Sequence, residues 1–201
     1  VLANITSKPS FFFCFAAVFP LLSFLGKKEK LNTSAKALFP VLTGLAALAI
    51  YYWYLFVYNV SKGTSDSAIG IAPFHVWSTL THNIPLSFCN SLLLPIAIFL
   101  SYPRKVASDL ACRYSLLLLL AGATLYALFE ETGSRMLDGN FWWQLPATNY
   151  LLHLSTLALF IRLKEESSWR RRDYAVALTF LTGVISGFIY LARIVTSGQY
   201  Y

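Results

Sequence analysis

Charge is what this sequence has least of. Charged side chains fill only 12% of its 201 positions, and just nine of them are acidic. A soluble domain carries about 25%, so too few polar atoms remain here to cover a water-facing surface. An ordinary soluble globular fold is excluded. Cysteine is scarce too: Cys14, Cys89 and Cys112 lie in apolar runs and form no CxxC pair, so neither a zinc site nor a disulfide framework is expected. No cleavable signal peptide is expected, because residues 11–25 follow a single lysine, Lys8, and no small-residue cleavage site comes after them. Repeats and low-complexity segments are missing as well, which leaves one transmembrane domain over residues 1–201.

What the chain has in plenty is apolar side chain, at 57%. A helix of about 20 apolar residues crosses the hydrocarbon core of a bilayer. Six apolar runs stand out, near residues 10–25, 37–60, 84–102, 110–129, 146–163 and 174–196. The predicted fold is therefore all-α, a polytopic membrane bundle of about six transmembrane helices. Tyr51, Tyr52, Trp53, Tyr54 and Tyr58 crowd the far end of the second run, as an interfacial aromatic belt does. Residues 61–83 read as a loop whose latter part, 71–80, is apolar enough to form a short interfacial or re-entrant helix. Gly183 and Gly187, four apart, read as a close helix contact.

The net charge of +7 does not point to nucleic acid, because the basic residues form short clusters between apolar runs and do not alternate with aromatics on a polar face. Twelve fall on one side of the six-span topology: Lys27, Lys28, Lys30 and Lys36; Arg104, Lys105 and Arg113; Arg162, Lys164, Arg170, Arg171 and Arg172. The other side holds Lys8, Lys62, Arg135 and Arg193. Cytoplasmic loops carry the excess of lysine and arginine, so both termini are expected on the non-cytoplasmic side. In this reading Arg170 to Arg172 are topology determinants at the lipid surface, not a binding site.

Polar groups inside spans are costly and so mark candidate sites. The third run opens with His82-Asn83-Ile84-Pro85; Asn83 suits a helix cap and Pro85 a first-turn position. Cys89 then lies about 8–10 Å below the mouth, at about 1.5 Å per residue. In the fifth run His153 falls at a similar depth. A thiol and an imidazole converging there are the minimum for covalent acyl chemistry, in which the base draws the thiol proton and the thiolate attacks a carbonyl. Asn149 shares a helix face with His153 and can orient it. Asn90, Glu130 and His82 are further supporting candidates, Asn90 as an oxyanion donor, with Glu131, Arg135 and Asp138 close behind Glu130. No metal and no cofactor is expected; haem would need two facing histidines, and only His153 lies deep. Transport is disfavoured by the scarcity of midplane ionisable groups.

The segment Pro85-Leu86-Ser87-Phe88-Cys89-Asn90, with Leu92 to Pro95 after it, resembles the P-L-H-L-C signature of the YwaF-like, transmembrane protein 164-like integral membrane family. His153 follows Cys89 by 64 residues, a spacing similar to the family's, and Phe141-Trp142-Trp143 before Tyr150 is similar to its aromatic approach. The resemblance covers about a third of the chain. It implies a multi-helix fold and a Cys–His acyltransferase acting on phospholipids, with Cys89 as nucleophile and His153 as base. Ser87 stands where the signature has histidine. The expected function is thus a membrane-embedded acyltransferase or hydrolase of lipid acyl esters, with membrane lipids as partners. The alternative is a non-catalytic accessory subunit of a membrane protein complex, with membrane proteins as partners.

Overall fold

The computed structural model describes residues 10–25, 31–58, 69–132 and 143–197. Lys8, Lys27, Lys28, Lys30, Lys62, Arg135, Asp138, Phe141, Trp142 and the last two residues of the second predicted span lie outside them. The described chain is almost entirely helical: α1 (Ser10–Leu25), α2 (Leu31–Tyr52), a π-helical turn (Trp53–Tyr58), strand β1 (Ile69–Ile71), α3 (His75–Leu80), α4 (Ile84–Ser91), α5 (Leu93–Ser101), α6 (Pro103–Ser108), α7 (Leu110–Leu128), β2 (Phe129–Glu131), α8 (Gln144–Glu165) and α9 (Arg171–Ser197). It forms two compact units, residues 1–87 with 114–151 and residues 88–113 with 152–201.

The all-α expectation holds, but six spans are not reproduced. Among the described residues two helices, α7 and α9, are long and apolar enough to cross a membrane, and the pair α4–α5 makes a third if it counts as one bent span. The shortfall has physical causes. At 16 residues α1 reaches only about 24 Å, less than a hydrocarbon core of about 30 Å. The 22 residues of α8 are long enough, but Gln144, Thr148, Asn149, His153, Ser155 and Thr156 dilute their apolar character. In α2 only Val41–Tyr52 forms the apolar stretch.

In the first unit α1 packs on α2 through Phe12 and Leu48, with Phe15, Ala16 and Ala47 against them. Gly44 permits this approach, since a Cβ there would stand 2.1 Å from the Phe12 ring. Cys14 and Val18 meet Leu118 of α7. Gly122 of α7 faces the start of α8 closely: a Cβ would lie 2.8 Å from Thr148 Oγ1 and 3.3 Å from the Gln144 carbonyl oxygen. The loop predicted over 61–83 contains structure of its own. β1 pairs antiparallel with β2, Gly70 opposite Glu130, and the ribbon is extended by the Ala72 N–H donating to Leu128 O at 3.0 Å. Phe74 then takes a left-handed conformation, φ 59°, and turns the chain into α3, the short helix expected within 71–80. Trp77 of α3 stacks on Tyr126, ring centres 4.7 Å apart. The fourth span accordingly stops at Leu128, where Phe129 joins the ribbon.

In the second unit α5 packs along α9, and Leu94, Ile98, Tyr102, Val106, Cys112, Leu159, Phe160 and Val176 form one core. The third predicted span is broken: α4 and α5 meet at 62°. Pro95 explains the break. It has no N–H to give the Ser91 carbonyl, and its ring crowds that carbonyl, so α4 ends with Leu92 N–H on Cys89 O at 3.0 Å and α5 restarts with Ile96 N–H on Leu92 O at 2.9 Å. Gly183 and Gly187 do not mark a close contact among the described residues, since nothing lies within 4 Å of a Cβ at either.

Candidate functional site

Asn83 caps α4 as its position predicts, its Oδ1 accepting the Leu86 N–H at 3.0 Å. Cys89 follows in the last turn of that helix. It is exposed, whereas Cys14 and Cys112 are buried, so Cys89 alone among the three thiols is accessible to a substrate. Asn90 beside it is exposed as well. The bend at Leu92 changes the depth argument, because rise along a straight span no longer locates Cys89.

His153 is half-buried in the middle of α8, and its carbonyl accepts Thr156 Oγ1 at 3.2 Å. Asn149, also half-buried, lies one turn earlier on the same helix. Cys89, Asn90 and His153 belong to the second unit, and His82, Glu130 and Asn149 to the first. His82 is exposed in the short link between α3 and α4. Glu130, in β2 and not at a helix end, has a partner in the first residue of α3: its carboxylate bonds to Nδ1 of His75. Among the described residues no three His, Cys, Asp or Glu side chains converge as metal ligands do.

Gln144, at the start of α8, has its side chain fully buried with neither amide atom hydrogen-bonded among the described residues. No sequence signal marked it, since a glutamine at the edge of an apolar run reads as interfacial.

The best-connected polar cluster lies in the second unit, at the basic end of α9. Asp173 is fully buried. Its Oδ1 accepts the Tyr102 hydroxyl, and its Oδ2 accepts Lys164 Nζ at 2.5 Å and the Arg170 N–H at 2.7 Å. Burial alone pushes this carboxyl up, but the bonds from Lys164, Tyr102 and Arg170 outweigh it and hold the pKa at about 2. The bond to Asp173 raises the Lys164 ammonium above its ordinary value against a smaller effect of desolvation. The Arg172 guanidinium lies 4.4 Å over the Tyr102 ring, a cation–π placement. Nearby, Asp109 caps α7 by accepting the Cys112 N–H at 2.9 Å and pairs with Arg162 at 2.7 Å. Burial raises the Asp109 carboxyl, and these two partners together lower it further than burial lifts it.

No family model, curated protein or solved structure matches this chain. Chemistry therefore has to be read from the geometry. Beside the Asp173 cluster opens a cavity of about 480 Å³, lined on one side by Tyr102, Arg104 and Lys105 and on the other by Lys164, Arg170 and Arg172. Glu166 is its one lining carboxylate among the described residues. The sequence showed these cations but not their convergence, because Tyr102, Lys164 and Asp173 come from three separate segments. An acid immediately after three arginines was the one available signal.

Proposed function

We propose that this chain is a multi-pass membrane protein that cleaves or transfers an acyl ester of a membrane lipid, Cys89 serving as nucleophile and His153 as base. The observation that carries the reading is the exposure of Cys89 beside two fully buried cysteines. A nucleophile must be reachable, and only this thiol is. The resemblance of residues 85–95 to the YwaF-like signature and the half-buried His153 in the same unit support it; Ser87 in place of the signature's histidine weakens it.

The chemistry balances without a cofactor. His153 takes the Cys89 proton, and the sulfur bonds to the ester carbonyl carbon. The ester C–O bond then breaks, and the lysolipid oxygen leaves with the proton His153 carried. Water or an acceptor alcohol resolves the thioester and returns the thiol. The test is acyl release or transfer from defined phospholipids in proteoliposomes, measured by mass spectrometry for the wild type, Cys89→Ala and His153→Ala. Both variants should lose activity while remaining folded. Full activity in Cys89→Ala ends this reading.

One observation favours the second reading, an accessory subunit. Only 6% of the apolar window of α9 is buried, and Leu178, Phe188 and Val195 along it are largely uncovered, an area that a partner helix or lipid would cover. Purification as a stoichiometric component of a complex, from a chain inactive on lipid esters, favours that reading.

A further inference from the structure

The cavity at the basic end of α9 is built differently from a scattered charge belt. We propose that it is a binding site for the phosphate of an anionic phospholipid head group, on the face that the distribution of lysine and arginine makes cytoplasmic. This site is separate from Cys89 and does not depend on it.

Charge comes first. Five cations line the cavity: Arg104, Lys105, Lys164, Arg170 and Arg172. Lys164 is committed to Asp173, and Arg172 Nε stands 4.0 Å from the same carboxylate. Among the described residues Arg104, Lys105 and Arg170 have no carboxylate within ion-pair distance. Five cations against Asp173 and the lining Glu166 leave a positive surplus, which faces an open volume of about 480 Å³, roomy enough for a phosphate and its glycerol.

Rigidity comes second. The buried Asp173 fixes Lys164, Tyr102 and the Arg170 backbone in one network, and the Arg172 guanidinium lies 4.4 Å from the centre of the Tyr102 ring. Planar guanidinium groups match phosphate oxygens two at a time. Holding them in place before the ligand arrives reduces the ordering cost of binding.

Position argues for a lipid over free phosphate. The cavity sits where the spanning helix α9 begins. Trp169 and Tyr174, half-exposed or more and 5.3 Å apart ring to ring, mark the head-group level where such aromatics collect. Leu100, 79% exposed, directly precedes the cavity-lining Ser101, and Leu178 is also well exposed on α9. Basic pockets at the cytoplasmic ends of spanning helices hold anionic head groups for this reason.

The test uses the full chain purified in neutral detergent, with dioctanoyl phosphatidate, dioctanoyl phosphatidylcholine and sodium phosphate as probes and binding read by calorimetry. Phosphatidate should bind, phosphatidylcholine should bind at least about tenfold more weakly, and millimolar phosphate should not displace the lipid. The double variant Arg104→Gln/Arg170→Gln should weaken phosphatidate by about tenfold or more. The control Arg113→Gln/Arg171→Gln removes the same charge outside the cavity and should change it by less than about twofold. Equal losses in both variants would show a diffuse charge effect and overturn the site. Phosphate competing as well as lipid would overturn the lipid assignment. Thermal stability of each variant, measured alongside, separates a lost site from a lost fold.

Discussion

Replacing Lys164 with Met removes the ammonium that holds the buried Asp173 carboxylate and leaves its alkyl stem in place. Asp173 keeps only the Tyr102 hydroxyl and the Arg170 N–H as close donors, with Arg172 farther off at 4.0 Å. Breaking a buried pair from one side costs about 3–5 kcal/mol, because the remaining charge is uncompensated. For a chain of this length each kcal/mol moves the unfolding midpoint by about 2–4 °C, so a fall of about 10 °C is expected. Buried Cys14 and Cys112 supply the assay: in a Cys89→Ala background a thiol-reactive fluorophore lights up only as these two become exposed. The double variant Lys164→Met/Asp173→Leu removes both charges and should recover much of the loss. Acid dependence gives a second readout. The Asp173 pKa of about 2 lies below the ordinary carboxylate range near 3.8, so its stabilisation, on the order of 2 kcal/mol, is full above that range and disappears as pH falls through it toward 2. Lys164 is raised, so its share is full below its ordinary pKa of 10.5 and is lost only as pH rises beyond it. Asp173→Asn should flatten the acid limb except for the part carried by Asp109, which Asp109→Asn isolates. A Lys164→Met midpoint within about 2 °C of wild type, or a double variant that loses the sum of the two single losses, would refute the coupling.

Three further outcomes follow from the same geometry. Gly122→Ala should destabilise by about 1–3 kcal/mol through overpacking against Thr148 and the Gln144 carbonyl, while Gly183→Ala, with nothing within 4 Å of its new Cβ, should leave the midpoint unchanged; equal losses would mean that α9 is packed as tightly as α7. Gln144→Met should stabilise by about 1 kcal/mol, since it removes an amide buried without a hydrogen bond among the described residues; destabilisation in thermal unfolding would show that the amide has a partner. With the fold intact, a small maleimide should modify one thiol per chain, and peptide mapping should find it at Cys89; comparable labelling of Cys14 or Cys112 contradicts their burial.

Several features were legible in the residues alone because they depend on composition and neighbouring positions. Helical class and membrane character follow from long apolar runs with little charge. The Asn83 cap needs only a side chain three residues before an N–H, and the short helix within 71–80 needs only its apolar stretch between polar flanks. Other features were visible and misjudged. The third run reads as one span, but the structure bends it by 62° ahead of Pro95, which cannot give the Ser91 carbonyl an N–H. Gly183 and Gly187 have the spacing of a helix contact, while the closely packed glycines are Gly44 and Gly122, whose neighbours Phe12, Thr148 and Gln144 lie more than 20 positions away. Arg170 to Arg172 read as topology markers by position, but Arg170 and Arg172 line a cavity.

By itself, then, the sequence determined that this chain is helical and built for a bilayer, since hydrogen bonding and hydrophobic length are decided within each segment. Tertiary structure decided which thiol is reachable, where the third span bends, and that Tyr102, Lys164 and Asp173 form one buried network beneath a basic cavity. Those outcomes depend on contacts between residues far apart along the chain, whose pairing no local pattern encodes.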